Sequence, residues 1–203
     1  MVAALCAELK LRSDNWKSEI FETIYFGGGT PSVLTPVQLE QLIRQVREFY
    51  TVSEKVEITL ECNPDDCSVE NLNSWKALGV TRLSMGIQSF DEEQLRWMNR
   101  SHTAADSMKE VGFDELSLDL IYGLPNLTLE DWKKQIHQIV ALNPEHISAY
   151  SLILEEGTPF YEKQDILELP DEDTERIMYE NTHDILKEYG YEQYEISNYA
   201  KEG

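Results

Sequence analysis

The sequence predicts an α/β fold with a parallel sheet, and two observations support this. Short segments rich in β-branched and aromatic residues alternate along the chain with amphipathic segments that begin with helix-capping residues. Strands that alternate with helices form right-handed βαβ crossovers, which place the strands in parallel. The first helical segment, residues 3–11, has no strand before it. Either a βα unit has lost its strand or that strand lies outside this sequence.

Local signals define the individual elements. Residues 22–26 are typical of a strand, and residues 35–38 (Thr-Pro-Val-Gln) have the pattern of a capping box with proline at the first helical position. Apolar and polar residues alternate over 56–61 with the period of a strand. The same signals predict further strands at 80–87, 116–120, 147–154 and 191–196, and further helices that begin at Ser68, Asp91 (a second capping box, with Gln94), Thr128 and Asp171, with Gly79 and Gly190 ending two of them.

Composition and charge narrow the class of protein. The formal net charge is −21 at pH 7, which disfavours contact with a phosphate backbone, so no nucleic-acid partner is expected. No apolar run reaches the length of a membrane span, and residues 1–12 lack the regions of a secretory signal. Three cysteines, an odd number, argue against a disulfide framework. We expect a cytoplasmic protein without an integral membrane segment, and the sequence leaves the oligomeric state open.

A run of glycines follows the first predicted strand, and ligands of such sheets bind at the carboxyl ends of the strands. Residues 27–32 read Gly-Gly-Gly-Thr-Pro-Ser. Three glycines in a row let a ligand approach the backbone closely, although a tight turn would use them too. The segment has neither a Walker lysine nor GxGxxG spacing, so a nucleotide-phosphate loop is not supported.

Three side chains at other strand ends could contact a ligand. Glu61 can accept hydrogen bonds from hydroxyl or ammonium groups, and Gln88 can both donate and accept them. Asp119 alternates with the leucines of its strand, so one side of that strand is not simply core. Taken singly, two of them have a structural alternative: Glu61 as one surface acid among many, and Asp119 as a buried, hydrogen-bonded residue.

The strand-end segments are more specific together than singly. In chain order they resemble the oxygen-independent coproporphyrinogen III oxidase family of radical S-adenosylmethionine (SAM) proteins, including its haem-chaperone branch. The resemblance extends over essentially the whole chain from Ala3, and its last segment is more similar to the chaperone branch. The segments are GGGTPS (27–32), ECNP (61–64), MGIQSF (85–90), DLIYGLP (119–125), SAYSL (148–152), EEGTP (155–159) and YEISNYA (194–200).

The resemblance implies a partial (β/α)6 barrel of the radical SAM type with parallel strands, its first strand missing from this sequence. Residues 1–160 would form the barrel core, strands 2 to 6, and residues 161–203 a helix and strand that complete or flank it, with the C-terminal domain absent. The implied cofactors are SAM and a [4Fe-4S] cluster whose ligands are not in this chain, and haem is a further candidate. By motif match, the SAM-contacting residues are Gly28, Gly29, Thr30, Glu61, Gln88, Arg100 and Asp119.

The resemblance also implies a function in porphyrin metabolism. In the oxidases, a 5′-deoxyadenosyl radical abstracts hydrogen from a propionate side chain, which then decarboxylates to a vinyl group. In the chaperone branch, the protein binds haem and passes it on. The first hypothesis is therefore an oxidase acting on a porphyrinogen, the alternative is a haem chaperone, and no catalytic residue is assigned. A third hypothesis is an α/β scaffold that only binds partners, but packing alone has little need of three glycines, Gln88 and Asp119 at strand ends.

The sequence departs from the family pattern at the cluster. The motif Cys-x3-Cys-x2-Cys is absent, and Cys6, Cys62 and Cys67 have a different spacing. Because an Fe–S cluster needs several thiolates at one site, no metal ligand is expected among them or among the scattered histidines. The chain by itself is therefore expected to be catalytically inert. The stretch after Arg100 is also shorter than in the family, and only a cramped helix is expected at 101–111.

Overall fold

Helices and strands alternate along the chain, as the sequence predicts. The computed structural model describes residues 1–98, 112–113, 115–158 and 160–202. None of the helices in those ranges is long and apolar enough to cross a membrane. Arg100 and the helix expected at 101–111 lie outside the described residues.

The chain forms two compact units, which divide within the third strand. In the first unit the strand order is β1 (Ile20–Phe26), β2 (Thr51–Cys62) and β3 (Arg82–Gln88). In the second unit it is β3, β4 (Glu115–Tyr122), β5 (His146–Ser151), β7 (Asn198–Lys201) and β6 (Tyr191–Gln193), because β3 belongs to both units. The proposed boundary at residue 160 stays a prediction. The first unit consists of α1 (Val2–Arg12), β1 (Ile20–Phe26), α2 (Pro36–Phe49), β2 (Thr51–Cys62), α3 (Val69–Ala77) and the first residues of β3 (Arg82–Gln88).

The two strands that position the glycine run are parallel neighbours in the first unit. In their register, Ile24 lies beside Ile58, and Phe26 lies beside Leu60. The strand predicted at 56–61 is confirmed, and Ile58 and Leu60 are fully buried, but Thr59 between them is only 1% exposed, so burial does not alternate at this position. The register places the end of β1 level with the end of β2, where Glu61 stands.

The predicted capping box at the start of α2 is confirmed. Thr35 Oγ1 accepts a hydrogen bond from the Gln38 amide (3.3 Å), and the Thr35 amide donates to Gln38 Oε1 (3.0 Å). Pro36 is the first helical residue, where its missing N–H costs nothing. The helix buries Leu39 and Leu42 together with Ile43. An apolar groove of about 450 Å³ lies among α1, β1 and α2.

Among the described residues, the second unit adds four strands and three α-helices to the last residues of β3. β4 and β5 are parallel, whereas β5 and β7 are antiparallel, with Ile147 beside Tyr199. The single strand expected at 191–196 is therefore wrong: the chain forms an antiparallel hairpin there. The elements are α4 (Glu92–Trp97), β4 (Glu115–Tyr122), α5 (Leu129–Ala141), β5 (His146–Ser151), α6 (Glu172–Glu188), β6 (Tyr191–Gln193) and β7 (Asn198–Lys201).

The capping box predicted at Asp91 is only half formed. Asp91 Oδ1 accepts from the amides of Glu93 and Gln94, both at 2.9 Å. Gln94 does not return a bond to the Asp91 amide, which donates instead to Ser89 Oγ (3.0 Å). Gln94 Oε1 is occupied by the hydroxyl of Ser89 (2.7 Å) and by Nε2 of Gln135 (3.1 Å). Gln135, which is distant in the sequence, therefore bonds to the Gln94 oxygen that the local pattern predicts as the acceptor for the Asp91 amide.

A fully buried tryptophan joins the two long helices of the second unit. Trp132 on α5 is 0% exposed, and its ring lies 5.6 Å from that of Tyr122 between centroids. Its Nε1 donates to Thr182 Oγ1 (2.9 Å) and to the Met178 carbonyl (3.2 Å) on α6. The indole therefore contributes both apolar burial and a satisfied buried donor.

We expect Trp132→Phe to lower the free energy of unfolding by about 2–3 kcal/mol, because it removes buried volume and leaves Thr182 without its donor. Trp16→Phe is the matched control: Trp16 is 48% exposed, so its change should stay within about 0.5 kcal/mol. Urea unfolding followed by circular dichroism measures both. Equal effects of the two substitutions would contradict this assignment.

Candidate functional site

The glycine run leaves an open surface beside the backbone after β1. Gly28 and Gly29 have φ angles of +81° and +70°, in the left-handed region that favours glycine. A Cβ built on either residue would meet no heavy atom within 4 Å. The glycines are therefore required by the backbone conformation and not by crowding. The space beside them is open, and its use by a ligand stays a prediction. Thr30, the next residue, precedes a short 3-10 helix (Pro31–Val33).

The carboxylate of Glu61 holds this loop. Its Oε2 accepts a hydrogen bond from the Gly28 amide (3.1 Å), and its Oε1 accepts from the Tyr25 hydroxyl (2.9 Å). Each carboxylate oxygen has two acceptor positions, so one on each oxygen remains for a ligand. The structure thus brings together two of the predicted site residues, Gly28 and Glu61, from the ends of β1 and β2.

The sequence does not indicate the role of two residues in this cluster. Tyr25 has only the pattern of a strand residue, although its hydroxyl donates to Glu61. Gly27 has no signal that distinguishes it from the neighbouring glycines. A Cβ at Gly27 would lie 2.8 Å from Glu61 Oε1 and 2.6 Å from the Tyr25 ring, so this glycine is required by crowding. No local signal predicts this, because Tyr25 and Glu61 are far apart in the sequence.

The remaining predicted residues of the described chain belong to the second unit. Gln88 is the last residue of β3 and has φ +73°, a strained conformation for a residue with a side chain. Asp119 lies on β4, half-buried, and in register it pairs with Ser148 of β5, which pairs with Asn198 of β7. Paired residues share a face of the sheet, so a polar row crosses three strands.

The cysteines occupy separate local settings in the first unit. Cys62 Sγ donates to the Ser84 carbonyl (3.6 Å), and Cys67 Sγ donates to the Asn63 carbonyl (3.2 Å). Cys6 lies on α1 and accepts from Gln41. Across the part of the chain that the structure describes, no group of three or more Cys, His, Asp or Glu side chains is placed to hold a metal ion. These thiols do not fit the ligand set of a [4Fe-4S] cluster, which needs converging thiolates.

Comparison with known proteins places these features in one superfamily. The profile of the Radical SAM superfamily matches residues 7–139. Haem chaperone HemW of Lactococcus lactis is 39% identical over 197 residues, covering 93% of this chain and 52% of that protein. HemW of Bacillus subtilis is 40% identical over 191 residues, covering 90% and 50%. A mouse mitochondrial relative, radical SAM domain-containing protein 1, is 35% identical over 190 residues, covering 90% and 43%.

Solved structures give the same result for the fold. Coproporphyrinogen III oxidase (HemN) of Escherichia coli, described as a radical SAM enzyme, matches with a TM-score of 0.85 at 27% identity, covering 98% of this chain and 48% of that one. An archaeal Elp3 from Methanocaldococcus infernus matches with a TM-score of 0.69 at 20% identity, covering 89% and 49%, a likeness of fold alone. The partial radical SAM barrel is thereby confirmed. The chain spans about half the length of the curated relatives it matches.

We expect alanine at Gly27 and at Gly28 to destabilise the first unit for different reasons. Gly27→Ala crowds Tyr25 and Glu61, at a cost of about 1–2 kcal/mol, whereas Gly28→Ala forces a left-handed residue at a similar cost. Adding Tyr25→Ala should relieve the first substitution and leave the second unchanged. Double-mutant cycles of unfolding free energy measure this. No coupling between positions 25 and 27 would contradict the crowding.

Proposed function

Because the chain belongs to the radical SAM superfamily, we propose that it is the SAM-binding part of a haem chaperone. The observation that carries this proposal is the identity of 35–40% with proteins named as haem chaperones, over 88–98% of the chain. The structure named as coproporphyrinogen III oxidase is 27% identical. The oxidase hypothesis, placed first from the sequence, is therefore not confirmed, and the chaperone alternative fits better.

We propose that SAM is bound by the residues predicted from the motifs. Glu61 suits an ammonium group, since a charged acceptor with positions to spare makes strong hydrogen bonds. The open backbone of the glycine run allows close approach of the ligand. Asp119 suits ribose hydroxyls, and the guanidinium of Arg100 suits a carboxylate. The full set is Gly28, Gly29, Thr30, Glu61, Gln88, Arg100 and Asp119.

We propose that this chain contributes residues to bind SAM but no ligands to bind the [4Fe-4S] cluster, the other cofactor of the family. When bound, SAM supplies an adenosyl group and a sulfonium for radical chemistry, and the residues of this chain bind and orient it. The described thiols do not fit a [4Fe-4S] cluster, so we assign this chain no step through the cluster. A cytoplasmic location and the absence of a nucleic-acid partner stay predictions.

A coproporphyrinogen oxidase is the second candidate. The observation that favours it is the TM-score of 0.85 with the oxidase structure across 98% of this chain. The likeness extends over the strands that would contact SAM, which both functions share. The two functions therefore differ in what is done with the tetrapyrrole and not in the scaffold.

Haem titration beside an oxidase assay separates these functions. In the full-length protein that carries this chain, we expect stoichiometric binding of ferric haem, read by absorbance, and no vinyl product from coproporphyrinogen III under reducing conditions with SAM. Decarboxylation of coproporphyrinogen III would establish the oxidase. Binding of neither tetrapyrrole would overturn both candidates and favour a scaffold that only binds partners.

Glu61→Gln tests the SAM site with little effect on the fold. The amide oxygen can still accept from Gly28, and its NH2 can donate to Tyr25, but the negative charge that attracts an ammonium is lost. We expect SAM affinity to fall by about tenfold or more, with unfolding free energy changed by less than about 1 kcal/mol. Glu54→Gln, an exposed carboxylate on the same strand, is the matched control. Isothermal titration of the full-length variants measures the affinity; equal affinities would remove Glu61 from the site.

A further inference from the structure

The backbone that follows the glycine run is bonded to the segment that follows β2. Ser32 lies in the short 3-10 helix after the run, and its hydroxyl donates to Asp66 Oδ2 (2.5 Å). The same oxygen accepts from the Asn63 amide at the longer distance of 3.4 Å. Ser32 is 6% exposed, so little water competes for this bond. Because a hydroxyl has a single proton and Asp66 receives it, Ser32 has no donor left for a ligand.

Asp66 is itself held in place by hydrogen bonds of its backbone. Its amide donates to the Asn63 carbonyl (3.0 Å), and its carbonyl accepts from the side-chain amide of Asn71 (2.8 Å), in the first turn of α3. The carboxylate that receives the Ser32 proton therefore belongs to a fixed turn and not to a free loop.

The glycine run is thus held at both ends by residues 61–66. Glu61 Oε2 accepts from the Gly28 amide (3.1 Å), and Asp66 accepts from Ser32 further along the chain. Between these two points, a Cβ built on Gly28 or Gly29 would meet no heavy atom within 4 Å. Glycines in open space have many accessible conformations, so the ends of the run must select one of them.

We propose that Ser32 and Asp66 are positioning residues for SAM, whose hydrogen bond keeps the glycine run in the conformation that binds the cofactor. The inference rests on the proposed binding of SAM by this loop. Neither side chain contacts SAM in this role. When a ligand binds only one conformation, its apparent dissociation constant is inversely proportional to the population of that conformation. Breaking the bond therefore lowers the affinity although every contacting group is still present.

Glu61 and Asp66 are both carboxylates of this segment, but they have different requirements. Glu61 has acceptor positions to spare for an ammonium group, so its negative charge contributes to binding. Asp66 only has to accept the Ser32 proton, which the neutral oxygen of an amide also does. Asp66→Asn should therefore retain most of the SAM affinity, whereas Glu61→Gln should not.

Isothermal titration with SAM, in the full-length protein that carries this chain, tests the proposal. Ser32→Ala and Asp66→Ala should each weaken binding by about fivefold to tenfold, because the binding conformation becomes less populated. The double variant should bind no more weakly than either single variant, since both substitutions remove the same bond. Asp66→Asn, which keeps an acceptor for Ser32, should remain within about twofold of wild type.

Tyr50→Phe is the matched control, because it also removes one hydroxyl from a hydrogen bond of the first unit. The Tyr50 hydroxyl donates to the Leu9 carbonyl (2.9 Å), and Tyr50 is half-buried. This substitution should lower the thermal unfolding midpoint and leave SAM affinity unchanged. Ser32→Ala should differ from it in a second readout: without SAM, the amides of residues 28–33 should exchange hydrogen faster than in wild type.

The outcomes separate this proposal from the proposed function. Wild-type protein that binds no SAM overturns SAM binding by this loop, and the proposal with it. Wild-type binding with unchanged affinity in both Ser32→Ala and Asp66→Ala overturns the proposal alone, since a merely structural bond would change only unfolding. Equal losses of affinity in Asp66→Asn and Asp66→Ala would also overturn it, because the charge would then act on SAM directly. Circular dichroism confirms folding, and Asp66→Ala, at a half-buried position, decides the test if Ser32→Ala does not fold.

Discussion

The carboxylate of Glu61 is the interaction on which the first unit's candidate site depends. It stands at the end of β2 and binds the backbone that follows β1, so one side chain fixes the relation between two parallel strand ends. This is possible only because the parallel register brings Phe26 level with Leu60. The close approach then excludes any side chain at Gly27, while the turn that follows requires left-handed residues. Gly27 is therefore required by crowding, whereas Gly28 and Gly29 are required by the backbone conformation.

Polar residues at strand ends are compatible with a stable fold because successive side chains of a strand point to opposite faces of the sheet. On β4, Leu116, Leu118 and Leu120 are buried, while the residues between them include Ser117 and Asp119. The apolar face stabilises the fold by packing. The other face can then carry polar groups, which form their hydrogen bonds with residues of neighbouring strands. Gln88 adopts a left-handed backbone conformation, and this strain is located where its strand ends.

The sequence predicts well those features that depend on interactions between residues close together in the chain. The capping box at Thr35, the cap at Ser68 and the glycine after α6 depend on residues a few positions apart, and all are confirmed. Contacts between distant residues are not encoded locally. Tyr25 reaches Glu61 across 36 positions, and Gln135 diverts Gln94 from its cap across 41. The hairpin that replaces a single last strand likewise depends on pairing with β5, a choice that no local propensity expresses.

The polar side chains of the second unit differ in where they stand along its strands. His146 is the first residue of β5 and Ser117 lies early in β4, whereas Gln88 ends its strand and Asp119 lies beyond Ser117 on β4. In sheets of this kind, cofactor chemistry belongs to the carboxyl ends of the parallel strands. The buried imidazole of His146 has hydrogen-bond partners at both ring nitrogens, Ser117 Oγ at 2.7 Å and the Tyr194 hydroxyl at 2.8 Å. A polar group at a strand start is thus satisfied by its neighbours within the unit, as buried polar groups must be, whereas the residues predicted to contact SAM lie farther along the same strands.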